Sequence, residues 1–368
     1  MKILYVVNDI DFFISHRLPL AQNAIINKHL VFVASNELPK INIHGITFLK
    51  FEINRSSVGI TSNLNSGIQL YKIIKDISPD ILHSVTLKSI LLTNLCLIFN
   101  RKIKKVNAVS GLGFLFTSDR KSLVAMIIIC LFKLINKIGN PYYIFQNEND
   151  LNEFKKLGVK ENYSLIKGSG VNHIDFKYIP PIKKEKINIT FTGRILKDKG
   201  IIELINAVQT LPEETQSNVV LNIYGKIDLD NPAHINEKEL KKLLKPNVII
   251  WHGNTNDIKN VLIKSDIYCL PSYREGLPKS TIEAMAIGRP IITTNAPGCD
   301  DTVNEGNNGF KVNIGDYKLL SKKLKILIED EALRVEMGKN SRRLFEKEFT
   351  LEKVMNQTFE LYNSLLKT

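Results

Sequence analysis

The chain has no apolar run long enough to cross a bilayer. Its longest, Leu123–Phe132, is ten residues, against the roughly twenty that a spanning helix needs. A secretion leader is not expected either: MKILYVVND carries one Lys, too short an apolar run and no small-residue cleavage site, and reads as a strand. Cysteine is scarce, with Cys96, Cys130, Cys269 and Cys299 scattered and no CxxC or Cys/His spacing. That pattern excludes a disulfide framework and a zinc site, and it reads as reduced core thiols in a cytoplasmic protein with no metal. No zinc-finger, RNP-like or helix-turn-helix signature occurs, so nucleic acid is not an expected partner.

What is present is positive charge, unevenly placed. Of a net charge of +13, residues 1–180 carry 22 Lys+Arg against 12 Asp+Glu, and residues 181–368 carry 28 against 25. An anionic membrane surface or a phosphorylated acceptor would match a basic first half, and so would a surface that is simply rich in lysine. Segment 121–139 also has two readings. It is a buried helix, or a helix lying in the membrane interface with Lys121, Lys133 and Lys137 meeting lipid phosphates.

The length predicts two domains of about 180 residues each. The stiff, polar stretch from Pro180 to Lys186 is the expected boundary, giving domains over 1–180 and 187–350 and a terminal helix over 351–368. In the first half, strands near 3–7, 30–35, 46–51, 81–83 and 106–109 alternate with helices near 15–27, 64–77 and 88–99. A strand at 142–146, a helix at 149–157 and a short strand at 164–166 follow. The second half restarts the rhythm with strands at 187–192, 219–224, 248–251, 267–270 and 290–293. Such βαβα alternation predicts an α/β fold of parallel sheets, with ligands outside the C-terminal strand ends. In the first half those ends carry Asn8–Arg17, His83-Ser84 and Ser110-Gly111-Leu112-Gly113.

Residues 267–290, IYCLPSYREGLPKSTIEAMAIGRP, hold the clearest chemistry. An apolar strand runs into a Pro/Ser/Gly-rich turn, and a helix opens at Ser280-Thr281-Ile282-Glu283 and ends at Gly288. Free N–H groups and the positive helix end make this an anion cradle. Glu275 and Glu283 flank it, which suits a sugar nucleotide: amides for the diphosphate, carboxylates for hydroxyls. Ser280-x-x-Glu283 is equally a capping box, and Glu275 can be read as a solvated loop acid. Upstream, Gly193-Arg194 and Lys199-Gly200 set two cations at the end of that half's first strand. An Arg fork and a Lys point charge can neutralise a departing diphosphate.

Taken together, these residues resemble family 4 retaining glycosyltransferases of the GT-B fold, two Rossmann-like domains whose parallel sheets face each other across a cleft. GRILKDKG resembles that family's diphosphate clamp, and the run from Glu275 to Glu283, continuing through AMAIGRPIITTNAPG, resembles its E-x7-E motif. FFISHRLPL, HSVTLKS, SGLGFLF, FQNENDLNEF and IKGSGV are similar to the subgroup that extends polyprenyl-diphosphate-linked glycans.

The resemblance implies that Arg194 and Lys199 stabilise the departing nucleoside diphosphate and that Glu275 contacts hydroxyls of the donor sugar. Glu283 would take the ribose hydroxyls, and Gly276, Leu277, Thr281, Gly193 and Asn254 would complete the donor site. It implies a UDP-sugar donor, no cofactor, and a polyprenyl-diphosphate-linked saccharide acceptor met at an anionic membrane surface by a peripheral, cytoplasmic enzyme. Many family members carry a His after a first-domain strand where this chain reads Val109-Ser110-Gly111-Leu112-Gly113. His16, Arg17, His83, Gly111 and Gly113 are therefore the acceptor-side candidates. A sugar-nucleotide epimerase and a non-catalytic nucleotide-sugar-binding subunit are the alternative readings.

Overall fold

The structure, a computed structural model, describes residues 1–53, 60–112, 123–182, 184–229 and 231–367, leaving aside the side chains of 60–63. Gly113 and Lys121 lie outside the described residues. The chain folds as two compact units, residues 1–169 with 354–368, and residues 170–353.

The first unit opens with β1 (Lys2–Val6), α1 (Ile10–His16), α2 (Leu18–Ile26), β2 (Leu30–Ser35), β3 (Ile46–Lys50) and α3 (Ile60–Ile77). It continues through β4 (Ile81–Val85), α4 (Leu87–Cys96), β5 (Lys104–Val109), α5 (Leu123–Ile138), β6 (Tyr142–Phe145), α6 (Glu148–Lys155) and β7 (Tyr163–Leu165). Its strands form one parallel sheet in the order β3-β2-β1-β4-β5-β6-β7. Helices cover both faces, so the central strand β4 is buried along its whole length, as a parallel strand between two helical layers must be.

Where one helix was expected near 15–27, the chain breaks at Arg17 into α1 and α2. Asp9 caps α1 by accepting from the Phe12 amide (3.1 Å), and Pro19 in the first turn of α2 has no N–H to continue the preceding helix.

The second unit runs β8 (Ile187–Thr192), α7 (Ile201–Gln209), α8 (Glu213–Ser217), β9 (Val219–Tyr224), α9 (Glu237–Leu243), β10 (Ile249–Trp251) and α10 (Ile258–Ile263). Then come β11 (Ile267–Leu270), α11 (Lys279–Ile287), β12 (Ile291–Thr294), β13 (Gly309–Val312), α12 (Tyr317–Glu329), α13 (Glu331–Glu348) and α14 (Leu351–Lys367). All six strands are parallel, in the order β10-β9-β8-β11-β12-β13.

The change of unit falls at Gly170, before the Pro180-Pro181 stretch. Residues 171–179 are tied to the second unit by backbone bonds from Val171 N to Phe349 O (3.1 Å) and Ile179 N to Ile287 O (3.1 Å). The Arg342 guanidinium adds a bond to Phe176 O (2.6 Å). From Val354 onward α14 packs in the first unit, with Val354, Leu361 and Tyr362 buried beside Ile3, Tyr5 and Val33. Of the cysteines, Cys269 and Cys299 are core thiols as expected; Cys96 is half-buried and Cys130 exposed.

Candidate functional site

In the second sheet the winding runs one way from β8 through β9 to β10 and the other way from β11 to β13. β8 and β11 therefore flank the reversal, beyond whose C-terminal ends a crevice opens. Both stretches singled out above leave these two ends: Gly193–Gly200 after β8, and Pro271–Pro278 after β11.

The two turns are sewn together. Asp198 O accepts from Tyr273 N (2.8 Å) and Ser272 Oγ (3.0 Å). Gly200 permits the approach: at φ +70° it has no side chain, and a Cβ there would stand 2.0 Å from Pro271 O. On the other side Glu275 N donates to Pro297 O (3.0 Å), and a Cβ on Gly298 would stand 2.3 Å from Glu275 O. Backbone fit therefore fixes where Glu275 points.

That packing brings the Lys199 ammonium against Glu275 Oε1, with 19% and 12% of the two side chains exposed. Arg194 Nη1 pairs with Asp228 Oδ2 at 2.6 Å. Asp198, between the cations, has its carboxyl raised by burial, with Lys199 working in the opposite direction. Both predicted clamp cations thus rest on carboxylates, and an incoming polyanion would have to displace them.

The capping box does not form. α11 begins one residue early, at Lys279, with Pro278 as its N-cap and no side-chain cap. Ser280 lies inside the first turn, and Glu283 instead meets Lys279 at 3.5 Å, one turn back. Burial raises the Glu283 carboxyl and Lys279 opposes it. Gly276 and Leu277 are buried in the turn, and Thr281 is wholly buried, its hydroxyl without a hydrogen-bond partner among the described residues. Gly193 sits at the end of β8, hydrogen-bonded to Tyr224 O (3.0 Å). Asn254 is exposed beyond β10, on the edge strand of the sheet and apart from the Lys199–Glu275 pair. Among the described residues there is no cluster of three or more His, Cys, Asp or Glu that could hold a metal ion.

On the first unit the acceptor-side candidates separate. His83 lies in the middle of β4 and is 1% exposed, with Nδ1 2.5 Å from Tyr362 Oη. Burial, then the charge of Arg17, holds its ring well below the ordinary histidine range. It is a neutral core residue because both faces of β4 are covered, and it does not reach a surface ligand. Arg17 is also buried, 5% exposed, between α1 and α2; burial lowers its pKa while Tyr362 and Tyr5 oppose the shift. His16 is half-buried and stacked on Phe12 at 4.2 Å between ring centroids. Gly111 follows β5 at φ +115°.

Residues 174–344 match the family model described as Glycosyl transferases group 1, and residues 2–139 match the one described as Glycosyl transferase 4-like. Between them the two models span both units. The chain is built of a glycosyltransferase 4-like domain and a group 1 glycosyltransferase domain. It is 28% identical over 343 residues to the N,N'-diacetylbacillosaminyl-diphospho-undecaprenol alpha-1,3-N-acetylgalactosaminyltransferase of Campylobacter jejuni, covering 88% of this chain and 89% of that one. It is 27% identical over 322 residues to the UDP-Gal:alpha-D-GlcNAc-diphosphoundecaprenol alpha-1,3-galactosyltransferase of Escherichia coli, covering 83% and 81%. The solved sucrose-phosphate synthase of Thermosynechococcus elongatus superposes with a TM-score of 0.85 at 16% identity, over 100% of this chain and 99% of that one. The fold is GT-B.

In this glycosyltransferase three residues of interest were not singled out from the sequence. Asp228 lies in the connection after β9, 34 residues from Arg194, and a loop acid carries no signal of its partner. Lys279 was readable, since Lys and Glu four apart face each other on a helix. Thr86 follows β4 at φ +75° and donates from Oγ1 to Asn8 Oδ1 (3.0 Å), where β1 and β4 flank the first sheet's own reversal. A non-glycine residue held in that conformation is strain of the kind found at functional sites, and only the backbone reveals it.

Proposed function

We propose that the protein is a retaining glycosyltransferase that moves a hexose or N-acetylhexosamine from a UDP-sugar to a polyprenyl-diphosphate-linked saccharide. The observation that carries this is the Lys199–Glu275 contact, with Arg194 on the same turn, beyond the switch point of the second sheet. The two relatives named above support the acceptor class by what their names state they act on.

In this reading the donor diphosphate lies over the two turns and takes Arg194 and Lys199 from their carboxylates. The cations neutralise the charge that develops as the glycosidic bond breaks. Released from Lys199, Glu275 accepts hydroxyls of the donor sugar, and Glu283 accepts those of the ribose. The acceptor hydroxyl attacks from the face the diphosphate leaves, which keeps the anomeric configuration, and a diphosphate oxygen takes its proton. The charge is met by side chains, with no metal ion or cofactor called for. The enzyme works from the cytoplasm, peripherally on the inner face of the membrane, where its lipid-linked acceptor resides.

The test is a donor screen with a short-chain polyprenyl-diphosphate-GlcNAc acceptor, reading nucleotide release and product mass. One UDP-sugar should give a one-sugar mass gain. Tight UDP binding with no transfer from any donor on a panel of lipid-linked acceptors would promote the non-catalytic binding subunit in its place.

Asp228 competes with the donor for Arg194. Because Arg194 is partly exposed, the pair is weak and Asp228→Asn should tighten UDP binding by only about two- to fivefold. Weaker UDP binding in titration calorimetry would show instead that Asp228 orients the guanidinium.

A further inference from the structure

Exposed apolar side chains gather on one helix. The outer face of α5 presents Leu123, Ile127, Cys130 and Leu134, spaced three or four apart, with Met126 beside them, and Leu123 is 72% and Met126 54% exposed. Its inner face places Ala125, Phe132 and Ile135 in the core. A helix apolar on both sides has a second apolar partner to meet.

The outer face ends in Lys133 and Lys137. With Lys156 and Lys160, from the connection between α6 and β7, they line a cavity of about 460 Å³ floored by Tyr143 and Asn162. No carboxylate is among the lining residues, though Lys156 pairs with Glu153, just outside them, at 2.7 Å. The cavity is formed by residues just before β6 and β7, on the edge where those strands begin. Gly111 marks the opposite edge, where β5 ends, so the lysine cavity is separate from the acceptor site expected there.

We propose that α5 and the lysine cavity form the docking surface for an anionic phospholipid bilayer. The apolar stripe enters the interfacial region, about 5–10 Å deep, while the cavity seats a lipid headgroup phosphate. The inference gives the peripheral-membrane part of the proposed function its surface, and it rests on that reading. Charge decides between occupants. A second copy packed through α5 would bring no acid to those lysines from its own α5, whose sequence LVAMIIICLFKLINKI has none. An anionic headgroup supplies the missing charge. As the bilayer's interface also holds the polyprenyl diphosphate, the same contact would bring enzyme and acceptor to one plane.

The test is flotation of the full-length protein with phosphatidylcholine vesicles, with and without phosphatidylglycerol. Wild type should float with the anionic vesicles and far less with the neutral ones. Lys133→Gln, Lys137→Gln and Lys160→Gln together should weaken anionic binding about a hundredfold, at about fivefold per lysine. Met126→Ser with Ile127→Ser should lower binding to both vesicle types. Wild-type-like flotation of the lysine variant would overturn the proposal. So would a concentration-dependent dimer of wild type, seen in sedimentation and abolished by the serine pair. UDP binding and transfer to detergent-dispersed acceptor, measured on the same proteins, should not change. If wild type floats but neither binds UDP nor transfers, the transferase reading fails and the docking surface stands.

Discussion

Lys199→Ala lowers kcat by about 10²–10³-fold and weakens UDP binding, whereas Glu275→Gln lowers kcat on the same scale and leaves UDP binding equal or tighter. The opposite signs follow from one contact. In the structure the ammonium of Lys199 rests on Glu275, and both side chains are largely withdrawn from water. Removing Lys199 leaves a largely buried carboxylate facing the site of a polyanion, which repels the ground state as well as the transition state. On the proposed reading, neutralising Glu275 frees the ammonium for the diphosphate, so binding gains while the sugar loses its hydrogen-bond acceptor. Calorimetry of UDP binding and steady-state rates at saturating donor separate the two, with a thermal melt to show that each variant is folded. If UDP affinity moves the same way in both variants, the exchange of Lys199 between Glu275 and the diphosphate is wrong.

Much of this arrangement was legible because two levels of the sequence agree. Strand and helix punctuation placed β8, β9, β11 and α11 within about two residues, and parallel sheets bind ligands at the strand ends where GRILKDKG and the Glu275 turn stand. At Gly200 and Gly298 the structure shows backbone passing backbone with no room for a Cβ. Illegible features depend on pairing at a distance. β13, reading Gly-Phe-Lys-Val, is broken by Gly and Lys and carries no continuous apolar run, and it pairs along the outer edge of β12. His83 looked available at a strand end, but the β4 ladder carries it inward under Tyr362, 279 residues away. Arg289, within the run that resembles the family, is fully buried, its guanidinium donating to Leu262 O (3.0 Å) and Ile263 O (3.2 Å). It closes the end of α10.

Ending the chain at Lys353 should unfold the first unit while the second survives. α14 starts in the second unit, but from Val354 onward its buried side chains belong to the core of the first. Val354, Leu361 and Tyr362 each lose burial, at about 1.5–3 kcal/mol for a fully buried side chain of that size. The sum is a large share of the 5–15 kcal/mol that holds a typical domain together. The loss is greater than area alone suggests, because Tyr362 is also the partner of buried His83 and neighbours Tyr5, whose own hydroxyl is pushed up to about 12 chiefly by burial. Without the helix, Arg17, His83 and Tyr5 would be left as polar groups on an opened apolar face. Differential scanning calorimetry of the 1–353 chain should show one transition missing or shifted down by many degrees, with UDP binding to the second unit retained. Tyr362→Phe keeps the burial and removes only the hydroxyl, so its cost should stay near 1–3 kcal/mol. Were the shortened chain to melt like the full one, the first unit would owe nothing to the terminal helix. Were the truncation to abolish UDP binding too, the two units would not be independent in stability.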